Sequence, residues 1–269
     1  MKTLGVVGKI DTKSFKYVYF ENSEIESFPE DFMEMLKGVE FLNANHVGLE
    51  SVDGRSLGKL QNLQVFWGGE NKIETLHENS FNENSKLEAI YLKFNQIRNI
   101  HPNAFRGLET LFVLDISSNN LKDLHPKVFD PLTQMVRLEI SGNSIENLNK
   151  NIFYKLGNLI ELKMMNNNLK HLNPDVFDPL KSLEYINISF NQSPLKRLRG
   201  ELFQYNFNLK EIFLLRNRIE KIDRKFVNNY KPMLFYLALR MNECVDYDIL
   251  LIEDGKIIKS EIEKLSKCF

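Results

Sequence analysis

Cysteine is scarce in this chain: Cys244 and Cys268 are its two copies, both in the last segment. That is too few for a disulfide framework and leaves two readings open, one terminal clasp or two buried thiols. Neither sign of charge is in surplus, with Lys plus Arg at 35 against Asp plus Glu at 36 and a formal net charge of -1. A near-neutral chain gives nucleic acid and anionic membrane no electrostatic footprint, so both partners are disfavoured. No stretch reaches the roughly 18 apolar residues of a membrane span. The opening residues, from Met1 to Lys9, are too short and interrupted for a secretory signal, so either the start is truncated or the chain carries no address. Also missing are a glycine-rich phosphate loop, a nucleophile elbow and any metal-like spacing of Cys and His. The sequence therefore predicts no enzyme, no cofactor and no metal.

What is present is a period. Asn71, Asn95, Asn119, Asn143, Asn167 and Asn191 recur every 24 residues, and Asn217 and Asn242 continue the column with small slips. An apolar residue stands eight, five and three positions before each Asn, and further ones usually follow two and five positions after it. Phe81, Phe105, Phe129, Phe153, Phe177 and Phe203 close the units. Before each Asn the residues alternate, Leu114 in, Asp115 out, Ile116 in, which is the period of a short strand. The Asn then turns the chain, its amide offering two donors and two acceptor sites to backbone groups exposed at the bend. One unit does not fold alone. Roughly seven buried apolar side chains at about 1.5 to 3 kcal/mol each face an ordering cost of about 1 to 2 kcal/mol per residue, and only stacking of neighbours closes that gap.

The skeleton Leu111, Leu114, Ile116, Asn119, Leu121 and its copies resemble the leucine-rich repeat family. The resemblance implies an α/β fold: one curved right-handed solenoid, about ten parallel strands on the concave face, and loops or short helical turns on the convex face. The organisation expected is an N-terminal edge segment over 1–14, about ten repeats over 15–242, and a C-terminal cap over 243–269. Leu4 to Val7 would pair as a thin cap. Two degenerate copies open the array, with Ser23 and Val47 in the Asn column, and Val47 predicts a locally irregular turn because it can neither donate nor accept there. In the eighth copy Leu195 and Leu198 come two positions late, so Gln192, Ser193 and Pro194 are expected to bulge. Ile258, Ile262 and Leu265 read as one helix face. The segments around Cys244 and Cys268 resemble the shortened cysteine cap of insect secreted or cell-surface members. A bond between them would close a loop of about 25 residues and add ~3 kcal/mol.

In such a solenoid the outward strand positions form the concave surface, where the resemblance implies that ligands bind. Its central column runs Tyr19, Asn43, Trp67, Tyr91, Asp115, Glu139, Lys163, Asn187, Phe213, Ala238. Aromatics gather at the start, with Tyr17 and Phe41 beside Tyr19, Trp67 and Tyr91, and again near Tyr185, Phe213 and Tyr236, while the centre alternates in charge. Tyr and Trp are favoured interface anchors; aromatics also simply suit strands. The candidate ligand-binding residues are Tyr17, Tyr19, Phe41, Trp67, Tyr91, Asp115, Glu139, Lys163 and Phe213, on a face that takes a protein partner or a surface molecule, with a homodimer as a further option. The expected role is extracellular or cell-surface recognition, immune or signalling. The alternatives are an intracellular adaptor and a fragment of a membrane receptor ectodomain. His77, His101 and His125 share one column and read either as a pH switch or as duplicated text. The sequons at Asn187 and Asn191 carry little, since one faces the concave surface and the other belongs to the Asn ladder.

Overall fold

A computed structural model describes residues 15–20, 23–191, 195–228, 234–250, 252–253, 256–257 and 259–269. The expected cap at Leu4 to Val7 and the bulge at 192–194 lie outside that set, as do Ile258 and the Ile262 side chain.

Each unit contributes a three-residue strand whose middle residue is buried: Leu42, Phe66, Ile90, Leu114, Leu138, Leu162, Ile186, Ile212 and Leu237. Together with Tyr17–Tyr19, whose middle residue Val18 is half-buried, they make ten strands, through Tyr236–Ala238, that pair in parallel and in register. An eleventh, Ile249–Leu250, runs antiparallel along Tyr236–Ala238 and covers that edge of the sheet. The convex side carries short helices, Glu30–Met35, Gly54–Leu57 and Arg224–Asn228, among turns and two-residue strands. Asp53 caps the second of these by accepting from the Arg55 amide at 3.0 Å.

Between the two sides run the fully buried phenylalanines. Phe81 stacks on Phe105 with ring centroids 6.2 Å apart, and Phe105 on Phe129 at 6.5 Å. Phe153, Phe177 and Phe203 form a second run, which the half-buried Phe226 extends. Bulky rings on the outer side widen it relative to the tightly paired strands, which is what curves the stack.

Asparagine joins each unit to the one before it. The Asn119 amide donates to the carbonyls of Leu92 and Ile116 at 3.0 and 3.1 Å, and its oxygen accepts from the Ile97 amide at 2.9 Å. Asn95, Asn143 and Asn167 repeat that set, and Asn191, Asn217 and Asn242 keep variants of it. The residue just before each Asn adopts positive φ, Glu70, Phe94, Ser118, Gly142, Asn166, Phe190, Arg216 and Met241, and so does His46 before Val47. Left-handed backbone costs a residue with a Cβ about 1 to 2 kcal/mol. In return its amide reaches the next unit's carbonyl, as Ser118 does to Ser141 at 2.8 Å.

Val47 does not leave its turn unsatisfied, because Asn71 of the next unit serves it. The Asn71 oxygen accepts from both Val47 and Leu49, each at 3.0 Å, and its amide donates to Ala44 and Gly68 at 2.8 and 3.1 Å. The irregularity survives only as a second left-handed residue, Gly48 at φ 84°.

At the other end Cys244 and Cys268 are bonded. Cys268 lies in a 3-10 turn, Leu265–Cys268, that follows the helix Lys259–Lys264, and Leu265 is buried. Asp248 locks the cap to the last strand by accepting from the Leu239 amide at 3.0 Å and the Tyr236 hydroxyl at 2.9 Å. Burial, and then this bond, raise the Tyr236 hydroxyl above its ordinary pKa.

Candidate functional site

The concave face places its candidate residues in three groups. In the first, Tyr17 stacks on Phe41 with centroids 4.5 Å apart and planes within 9°, and in the neighbouring column Trp67 stacks on Tyr91 at 6.0 Å and 6°. Tyr17 and Tyr19 are more than half exposed, at 55% and 60%. Register puts Tyr19, Asn43 and Trp67 side by side on three successive strands.

The second group is the charged centre. Glu161 is its hub, with Arg137 Nε and Lys163 Nζ each 2.5 Å from one of its oxygens. Burial alone would raise the Glu161 carboxyl, but the Lys163 hydrogen bond and the two cations outweigh it and hold the pKa below its ordinary value. Lys163 loses some charge preference to burial, yet Glu161 and then Glu139 leave its pKa raised. Asp115 and Glu139, adjacent in register, form no ion pair among the described residues. Both cap their own turns: Asp115 accepts from the Ser117 amide at 2.9 Å and hydroxyl at 2.6 Å, and Glu139 from the Ser141 amide at 3.2 Å. Asn43 and Asn187 do the same for Asn45 and Ser189. This turn-capping role of the central column escapes sequence reading, because an outward carboxylate on a strand looks like a ligand group.

Burial raises the Glu139 carboxyl above its ordinary pKa, its Ser141 bonds oppose that, and the neighbouring Asp115 adds to the rise. A carboxyl with a raised folded pKa binds protons more readily folded than unfolded, so stability falls as pH rises from its unfolded value through the folded one. Glu139→Gln keeps an acceptor for Ser141 while removing the charge. It is expected to raise Tm by about 1 to 3 °C at pH 7, with the gain vanishing once acid neutralises the parent's carboxyl. A melting series showing a gain independent of pH, or a loss at pH 7, would refute this.

In the third group Tyr185, Phe213 and Tyr236 pack together, with centroids 5.1 and 5.4 Å apart, and Lys163 Nζ lies 5.5 Å from the Tyr185 centroid. This cluster has its own cation; the first has none among the described residues. Asn187 is 8% exposed and its oxygen is engaged, and Asn191 is in the ladder, so neither sequon presents a free amide.

Two members of the histidine column cap turns. His101 and His125 accept through Nδ1 from the amides of Asn103 and Lys127 at 3.2 and 3.3 Å, and one period on, Asn149 and Asn173 accept identically through their side-chain oxygens. These imidazoles are exposed turn caps. Among the described residues no group of His, Cys, Asp or Glu is arranged to hold a metal. No helix among them is long and apolar enough to cross a membrane.

A leucine-rich repeat family model matches residues 85–145 and 133–192. No curated protein matches the sequence. Among solved structures, a leucine-rich repeat protein of Leptospira interrogans superposes with a TM-score of 0.68 at 19% identity, over 96% of this chain and 66% of that one. The functional domain of InlJ from Listeria monocytogenes, which includes a cysteine ladder, gives 0.63 at 18% over 87% and 46%. Drosophila Toll in complex with Spatzle gives 0.65 at 23% over 80% and 31%. The chain thus spans less than two thirds of each, and at these identities the likeness concerns the fold alone. Periodic strands, an asparagine ladder, a phenylalanine spine and the match of the central units to the leucine-rich repeat model together make the fold of this chain a leucine-rich repeat solenoid.

Proposed function

We propose that the concave face is a non-catalytic binding surface for a protein partner, in an extracellular or cell-surface recognition or signalling role, with Trp67, Tyr91, Tyr19 and Phe41 as its anchors. The observation that carries this reading is the pair of stacked aromatics left open on a rigid sheet, Tyr17 on Phe41 and Trp67 on Tyr91. Rings fixed in advance lose little conformational entropy on binding, so each square ångström they bury yields more affinity. The third cluster is a weaker candidate because its rings already contact one another and Lys163.

An oxidised Cys244 and Cys268 pair supports an extracellular compartment over a cytoplasmic adaptor, since cytosolic thiols are kept reduced. A balanced net charge of -1 supports protein over nucleic acid as the partner. Toll, which shares the fold, is solved with a protein ligand. A homodimer through the same face is the remaining option of this kind. Replacing Trp67 by Ala is expected to weaken partner binding by about 2 kcal/mol or more, the scale of an interface anchor. Lys163→Ala, whose ammonium already belongs to Glu161, is expected to cost less than about 1 kcal/mol. Calorimetry giving both variants the parent's affinity would sink the concave-anchor reading.

A further inference from the structure

We propose that the N-terminal half of the concave face takes a basic, extended segment of a protein partner, seating one arginine or lysine over Asn43 between Tyr19 and Trp67, and a second beyond Tyr91 against Asp115 and Glu139. The inference rests on the concave-face reading above and adds the chemistry of the occupant.

The first seat follows from register. Tyr19, Asn43 and Trp67 stand at one level on three neighbouring strands. Adjacent strands lie about 4.8 Å apart, so the two aromatic positions are separated by about 9 to 10 Å. Asn43 between them does not stand up as they do, because its oxygen turns back to the Asn45 amide at 3.0 Å. A gap between two aromatic positions remains. One side of the Trp67 ring is taken by Tyr91, which leaves the other toward this gap. After the half-thickness of each ring is removed, about 6 Å is left, enough for a guanidinium plane or an alkylammonium and too little for a stacked nucleobase pair.

The second seat follows from charge. The next residues in the column after Tyr91 are Asp115 and Glu139. Of the five charged side chains at the centre, Arg137 and Lys163 both go to Glu161. Asp115 and Glu139 are in no ion pair among the described residues and are fixed in place by Ser117 and Ser141; Lys163, beside Glu139 in register, offsets part of its charge, and the five together keep one negative charge in excess. An aromatic wall beside unbalanced carboxylates favours a cation twice over, by ring quadrupole and by Coulomb attraction. An acidic or phosphate-bearing segment would add to the excess and is disfavoured there.

The molecule already contains the contact in question. Near the opposite end of the same face, Lys163 Nζ lies 5.5 Å from the Tyr185 centroid while paired with Glu161. A cation is thus held between a ring and a carboxylate by the chain itself. At the N-terminal end the ring and the carboxylates are present, and the cation is left for a partner to supply.

Trp67 is the sole tryptophan, so its emission reports this site alone. The experiment titrates the full chain with three peptides, hexa-arginine, hexa-glutamate and an uncharged tyrosine-containing hexapeptide, at low and physiological ionic strength. The expected result is a saturable change in Trp67 emission with hexa-arginine only, weakened by salt. Affinity should fall about tenfold or more in the double variant Asp115→Asn, Glu139→Gln. Both substitutions preserve the turn acceptors, so the fold is kept, and exposed Glu109→Gln should match the parent. An equal response to hexa-glutamate, an unchanged response in the double variant, or silence with every peptide overturns the proposal. A response to the uncharged peptide alone overturns the basic occupant while leaving the concave face as the binding surface, which Trp67→Ala tests separately against the natural partner.

Discussion

Asn71→Leu is expected to detach the first units of the solenoid from the rest. Leucine fills the same volume but restores none of the hydrogen bonds, so the Val47 and Leu49 amides and the Ala44 and Gly68 carbonyls lose their buried partner. An orphaned buried group costs about 1 to 3 kcal/mol, and with partial relaxation the set should cost about 4 to 6 kcal/mol. Asn119→Leu should cost less, because its oxygen serves one backbone amide, that of Ile97, where Asn71 serves two. The Asn242 oxygen likewise accepts from two amides, those of Asn217 and Ile219, so the doubled load does not depend on which residue fills the preceding position of the column. In a solenoid stability is a sum over units and their contacts, so damage at one junction lowers the local transition first. Trp67 sits beside that junction and reads it. In the variant, its fluorescence should change at a lower temperature than the far-ultraviolet dichroism of the whole chain, whereas in the parent the two coincide. Coincident melts within about 2 °C of the parent would show that the ladder amide is dispensable.

The repeat, the strand positions and the order of the concave residues were legible because each depends on one residue type recurring at one spacing. Leu114 and its copies point inward whatever surrounds them. Roles filled by unlike residues were not legible. The left-handed position before each Asn, and before Val47, holds His46, Glu70, Phe94, Ser118 and Arg216 among others, so no composition marks it; the backbone imposes it and the pairing to the next unit's carbonyl sustains it. His101 and Asn149 share a task through different atoms, an imidazole Nδ1 and an amide oxygen, which is why the histidines read as a special column until the asparagines joined them. Asp115 and Glu139 are outward on their strands, and only the fold shows that each also satisfies the amide two residues on. Likewise the use of the antiparallel strand Ile249–Leu250 as an edge cover depends on Asp248, whose partners come from the preceding strand and turn.

Breaking the Cys244 and Cys268 bond should have the mirror effect of the Asn71 change. The two residues are 24 apart in sequence, and releasing a loop of that size costs about 3 kcal/mol. The loss should stay near the C-terminus, since Cys244 is tied through its amide to the Ile219 carbonyl at 3.0 Å while Cys268 anchors the final turn with buried Leu265 beside it. Beside the bond, the Arg224 guanidinium lies over the Phe269 ring at 5.2 Å. Opening the cap would expose the last sheet edge, which Ile249–Leu250 covers. In a double Cys→Ser variant, or after reduction, the amides of Leu214 and Arg216, which donate to Ala238 and Arg240, should exchange with solvent at least tenfold faster, a shift of about 1.4 kcal/mol or more in local opening. Those of Leu92 and Ile116, deep in the array, should keep the parent's protection, and the Trp67 transition should not move. Uniform loss of protection along the chain would mean that the bond holds the whole solenoid rather than its end. Unchanged exchange at Leu214 would mean that packing of Leu265 and the Asp248 bonds seal the edge without it.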